Sequence, residues 1–177
     1  SVLYGTTNHL VNEILPNYDI TTSRVPLLEA EALDAELATK PRTKVVYVET
    51  PANPTMSVVD IVRTAEVAHS HGASVIVDNT FATPVLQRPL SMGADVVVHS
   101  TTKFINGHGT VIGGALVSRD PDFIENGGGA LVRYLGAVPS AMDCWLTSIG
   151  LKTLPLRMRE HCSNARALAE FLESSDK

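Results

Sequence analysis

The sequence predicts an α/β domain: a mostly parallel sheet flanked by helices, ending in a long helix. Three observations carry that expectation. Short valine-rich runs alternate with amphipathic stretches, as layered α/β domains require. The runs are nearly continuous in apolar residues, the pattern of parallel strands covered on both faces. After Gly129 such runs stop, and helical spacing continues almost to the last residue.

In chain order, TTNHLVNEIL predicts a first helix capped by Thr6 or Thr7, whose hydroxyls can accept from free N–H groups of a first turn. A second helix is expected over residues 28–37. VVYVE (Val45–Glu49) is the first strand. In DIVRTAEVAHSHG, Ile61, Val62, Ala65, Val67 and Ala68 fall on one helical face, and Gly72 is placed to end the helix. SVIVD (Ser74–Asp78), DVVVH (95–99) and VIGGALV (111–117) are the remaining strands. ENGGGA (125–130) is expected to be a mobile loop, followed by helices over 131–135 and 140–149. Residues 155–172 carry a long stripe through Leu156, His161, Ala165, Leu168, Phe171 and Leu172. We divide the chain into a sheet domain, 1–153, and a linking helix, 154–177, expected to lead to a smaller domain outside these residues. The chain opens on SVLYGTTNHL without a methionine and stops at EFLESSDK, so it is expected to be a portion of a longer polypeptide.

Composition narrows the function classes. The 177 residues suit one domain, by a prior of roughly 150 residues each. Apolar residues at 44% and charged residues at 19% are ordinary for a globular protein. The net charge of −5 leaves no basic stripe for nucleic acid or an anionic membrane. No apolar run approaches the ~18 residues of a membrane span, and no signal peptide is expected. Cys144 and Cys162 lack metal-type spacing and are expected to be buried or free thiols, in keeping with a reducing cytoplasm. No metal site is expected.

Chemistry concentrates at the strand ends, where open α/β sheets bind ligands. One run ends in Asp78, another leads into Ser100-Thr101-Thr102-Lys103, and a third ends in Glu49 before a loop containing Asn53. An acid, a hydroxyl-rich turn with a lysine and a polar loop suit pyridoxal phosphate (PLP). The cofactor's aldehyde needs an amine, its ring nitrogen a carboxylate, and its phosphate hydroxyls and N–H groups. NGHGTVIGG has neither GxGxxG nor GxxxxGK[ST] spacing, which argues against a nucleotide loop. Its glycines are expected to allow tight turns beside the lysine.

The string VDNTFATPVLQRPLSMGADVVVHSTTKFINGHGTVIGG closely resembles the lysine-containing signature of the Cys/Met-metabolism PLP-dependent enzymes. LYGTT, ETPANPTM, GAVPSAMDCWLTSIGLKTLPLRMREH and NARALAEFL resemble the same family in the same order, so the likeness covers nearly the whole chain. The family includes cystathionine γ-synthases and γ-lyases, methionine γ-lyases and homoserine-ester sulfhydrylases, all of the aspartate-aminotransferase (type I) fold. The resemblance implies Lys103 as the Schiff-base lysine and Asp78 as partner of the pyridinium nitrogen. Ser100 and Thr102 would hold the phosphate, and Asn53 would lie near the ring oxygen. Tyr4 would stack on the ring and assist proton transfer, with Glu49 bracing the loop.

The resemblance further implies elimination or replacement at Cγ or Cβ of sulfur amino acids or homoserine esters. It also implies a cytoplasmic homo-oligomer, a dimer of dimers whose active sites are shared between subunits. The alternatives are a catalytically incomplete scaffold or another type I PLP enzyme such as an aminotransferase. His99, His108, Arg157 and Arg159 are expected to be structural, both arginines decorating the long helix. Two departures stand out. Many members read GHSD after the lysine where this chain reads GHGT. Methionine γ-lyases carry cysteine two positions after the tyrosine, where this chain has Thr6, which weighs against a dedicated methionine γ-lyase. In the family, an amino-terminal arm, an upstream glycine-rich phosphate contact and a carboxyl-terminal arginine-bearing domain complete the site. None lies in these residues.

Overall fold

The computed structural model describes residues 3–26 and 29–175. The elements in order are α1 (Gly5–His9), α2 (Ala30–Thr39), β1 (Val45–Glu49), α3 (Ile61–Ser70), β2 (Ser74–Asp78) and α4 (Thr83–Leu86). Then follow β3 (Val96–Ser100), β4 (Gly114–Ser118), α5 (Gly129–Leu135), α6 (Ala141–Lys152) and α7 (Leu154–Glu173). The strands lie side by side in sequence order. β1, β2 and β3 are parallel, and β4 closes the sheet antiparallel to β3. The mostly parallel sheet expected from the sequence is therefore present.

Period-2 alternation sorts the two faces of that sheet. Val46, Val48, Val75, Val77 and Val97 point into a core shared with Leu33 and Leu37 of α2 and Ile61, Ala65 and Ala68 of α3. Each large side chain so buried contributes about 1.5–3 kcal/mol. The opposite face is half-open: Tyr47, Glu49, Ile76, Asp78, Val98 and Ser100 are only partly buried. This differs from the expectation of strands covered on both sides, because the open face carries the polar groups of a cleft.

Local signals explain the ends of α3 and the start of α6. Asp60 caps α3, its Oδ1 accepting from the Arg63 N–H at 3.0 Å, and Gly72 follows with φ 71°. Ser140 and Asp143 form a reciprocal capping box at the start of α6. Helix α1 differs from its prediction. It begins at Gly5 with Tyr4 in the cap position, so Thr6 and Thr7 lie inside its first turn and neither caps it. It continues as a π turn (Leu10–Ile14) and a 3₁₀ turn (Leu15–Tyr18). The helix expected over 28–37 starts at Ala30; position 28 lies outside the described residues. Residues 125–130 are not a loop. They form a π turn (Phe123–Gly128) running into α5, where Gly128 lies close against the Phe123 ring and Leu116. Cys144 and Cys162 are free thiols, both exposed. No helix among the described residues is long and apolar enough to cross a membrane.

Candidate active site

The parallel register levels the strand ends. Glu49 pairs with Asp78 across β1 and β2, and Asp78 pairs with Val98, two residues before Ser100. Side chains two apart share a face, so Glu49, Asp78 and Ser100 emerge together. With Tyr4, Asn53 and Lys103 they line one cleft beyond the carboxyl ends of the strands. A second hollow, between α2 and α3, is lined by residues such as Glu31, Asp34 and Arg63 and holds none of the predicted site residues.

Side-chain and main-chain bonds hold the cleft residues in place. Asp78 accepts at Oδ1 from the Thr80 N–H at 3.0 Å and at Oδ2 from the Tyr47 hydroxyl at 3.2 Å. Burial, reinforced by the neighbouring Asp78 charge, pushes the Tyr47 phenol well above its ordinary range, so it remains a donor. Glu49 acts as a bracket. Its Oε2 accepts from the Tyr4 N–H at 2.7 Å and its Oε1 from the Asn53 N–H at 2.8 Å. One carboxylate thus fixes both the start of α1 and the polar loop. The Tyr4 ring consequently lies over Lys103, with Nζ 5.8 Å from the ring centroid, within cation–π reach. Lys103 sits in a turn whose N–H donates to the Ser100 carbonyl at 3.2 Å. The Ser100 N–H donates to Thr80 Oγ1 at 2.8 Å, tying the end of β3 to the end of β2.

Thr102 lies apart from this group. Its Oγ1 donates to the Gly113 carbonyl at 3.2 Å and accepts the Gly113 N–H at 3.0 Å, so the hydroxyl fastens the lysine turn to the approach of β4. The predicted strand over 111–117 accordingly joins the ladder only at Gly114. Gly107 and Gly109 both adopt positive φ, 73° and 64°, giving the tight turns expected beside the lysine. His108 donates from Nδ1–H to the Asn106 carbonyl at 2.7 Å and takes no place in the cleft. His99 is 6% exposed. Burial lowers its pKa, opposed by Asp78 and the Asn79 backbone, which keeps the ring neutral. Arg159 is exposed on α7 as expected. Arg157 is not: its guanidinium turns inward onto main-chain carbonyls of the lysine loop.

Tyr47, Thr80 and Phe81 were not singled out from the sequence, and Arg157 was expected only to decorate the long helix. Tyr47 was accessible by alternation, being two residues before Glu49 on the same strand face. Thr80 lies two residues after Asp78, a spacing that favours side-chain-to-backbone bonds. Nothing local marks the role of Arg157, because its partners in the lysine loop are more than fifty residues away in sequence.

A family model described as Cys/Met metabolism PLP-dependent enzyme matches residues 1–177. The chain belongs to that family. Among relatives, cystathionine γ-synthase of Mycobacterium leprae is 46% identical over 96% of this chain and 43% of that protein. L-methionine γ-lyase of Porphyromonas gingivalis is 46% identical over 97% of this chain and 43% of its own length. A crystal structure of cystathionine γ-lyase from Lactobacillus plantarum complexed with L-serine matches with a TM-score of 0.94 at 37% identity. That match covers 99% of this chain and 45% of that one. The chain therefore spans less than half the length of these members of the family. The donor set fits the family's cofactor: an exposed amine, a carboxylate anchored at both oxygens, an aromatic ring above the amine and the Ser100 side chain in one cleft.

Proposed function

We propose that this chain forms the cofactor-holding part of an enzyme that eliminates or replaces a substituent at Cγ or Cβ of sulfur amino acids or homoserine esters. The observation that carries the proposal is the convergence of Lys103, Asp78 and Tyr4 at three levelled structural ends. PLP, when bound, supplies an aldehyde for amines and a protonated ring that withdraws electrons from the substrate's Cα. Lys103 would hold the cofactor and, once released, carry a proton from Cα of the substrate. Asp78, aimed by Thr80 and Tyr47, would hold the proton on the ring nitrogen. Tyr4 would stack on the ring and keep the amine close, while Asn53 would orient the ring through its oxygen. Ser100 would contribute to the phosphate site, and Thr102 would contribute chiefly by bracing that turn.

The complete protein is proposed to be a cytoplasmic homo-oligomer, a dimer of dimers with shared sites, in which residues 154–177 lead to a smaller domain. Exposed Leu131, Tyr134 and Leu135 on α5 and Trp145 on α6 support a covering partner. The test is a substrate panel with the full-length protein: cystathionine, methionine and O-acyl-homoserines, with and without sulfide. Release of keto acid and ammonia marks elimination, and a new thioether or thiol amino acid marks replacement. Transfer of the amino group to a keto acid, with neither of those products, would contradict the proposal.

A further inference from the structure

The turn that carries Lys103 is fastened from the far side by one side chain. Arg157, in the first turn of α7, donates through Nη1 to the Phe104 carbonyl at 2.6 Å and through Nη2 to the Gly150 carbonyl at 2.7 Å. A longer Nη2 bond of 3.3 Å reaches the Ile105 carbonyl. Its Nε donates to Thr153 Oγ1 at 3.0 Å, so the direction of the side chain is itself set within the α6–α7 junction. No carboxylate among the described residues pairs with it. Its charge is therefore directed at main-chain carbonyls, to which a charged donor bonds more strongly than a neutral one, and the planar fork lets it reach several at once.

The packing around this contact is shaped to admit it. A Cβ at Gly107 would collide with the guanidinium, and a Cβ at Gly150 would collide with the Asn106 carbonyl. Farther along α7, the His161 ring meets Phe104 edge-on, with centroids 5.2 Å apart. The two residues immediately after Lys103 are thus tied to α7 by three contacts, two from Arg157 and one from His161. On the cleft side, the Glu49 bracket fixes Tyr4.

We infer that Arg157 is a positioning residue for Lys103: it locks the turn after the lysine to the α6–α7 junction and holds Nζ beneath Tyr4. The seating of the long helix thereby sets the reactivity of the lysine. The inference rests on Lys103 being the reactive amine proposed above.

The test compares full-length wild-type protein with R157Q and R157K. Three quantities are read: hydrogen exchange at amides 104–107, the pH profile of Lys103 acetylation by limiting acetic anhydride, and PLP trapped at Lys103 by borohydride. Losing bonds from a charged donor should speed exchange in R157Q by about tenfold or more. Exchange in β1–β3 should stay unchanged, the acetylation profile should shift, and trapping should fall. R157K keeps the charge without the fork and should recover only part of each difference. Wild-type exchange and acetylation in folded R157Q would overturn the inference, as would equal acceleration throughout the sheet. If R157Q does not fold, the same readings on R157K decide. Failure of the wild-type protein to trap PLP at Lys103 would sink the cofactor proposal instead, while exchange and acetylation would still decide the role of Arg157.

Discussion

Asp78 depends on its neighbours for its orientation in the cleft. Asp78 is aimed by a main-chain N–H and by the Tyr47 hydroxyl. A hydrogen bond to a charged acceptor is worth about 1.5–3 kcal/mol, and partial exposure puts this one near 1.5. Tyr47→Phe should therefore lower the urea midpoint by that equivalent with an unchanged slope, and an unaltered midpoint would dismiss the bond. His99 has the opposite character, an imidazole whose Nδ1 is buried without a partner. Its pKa is depressed from 6.5 in the folded state, so the unfolded chain binds the proton more readily. Its contribution is fully present above 6.5 and is lost as pH falls from there through the folded value. The stability of the wild type relative to His99→Gln should accordingly decline as pH falls below about 6.5. A pH-independent difference in denaturation free energy would remove this account of His99.

Among elements, the parallel strands were the most legible, since valine runs closed by Glu49 and Asp78 announce both buried strands and a polar end. The α3 boundary was legible at Gly72, and the Asp60 cap makes its start equally explicit. Asp60→Ala should cost about 0.5–2 kcal/mol in thermal or urea denaturation, the range for losing an N-cap. No loss would mean that packing alone sets the helix start. The amino-terminal helix was misjudged in its cap because its partner is distant: Glu49 receives the Tyr4 N–H across forty-five residues. Residues 125–130 were misjudged for a different reason. Three consecutive glycines suggest a loop by propensity, whereas here helical turns continue on both sides of a kink at Gly127, with Gly127 and Gly128 packed close against Phe123.

For the molecule as a whole, the order of strands and the level of their ends bring the predicted residues together, and that juxtaposition is tertiary. Tyr4, Asn53, Asp78, Ser100 and Lys103 were each visible in sequence, and register places them in one cleft. What stayed hidden was the support: Tyr47 behind Asp78, Glu49 behind Tyr4, and Arg157 behind the lysine turn all act over long sequence separations. The half-open sheet face has the same origin, because the polar groups at its edge need access to a ligand. The most direct measurement is borohydride reduction of the full-length protein incubated with PLP, followed by peptide mass spectrometry and absorbance in the visible range. The account predicts one cofactor per chain attached at Lys103, and loss of both the label and the absorbance band in Lys103→Ala. A label on another lysine, or an unchanged band in Lys103→Ala, would contradict it.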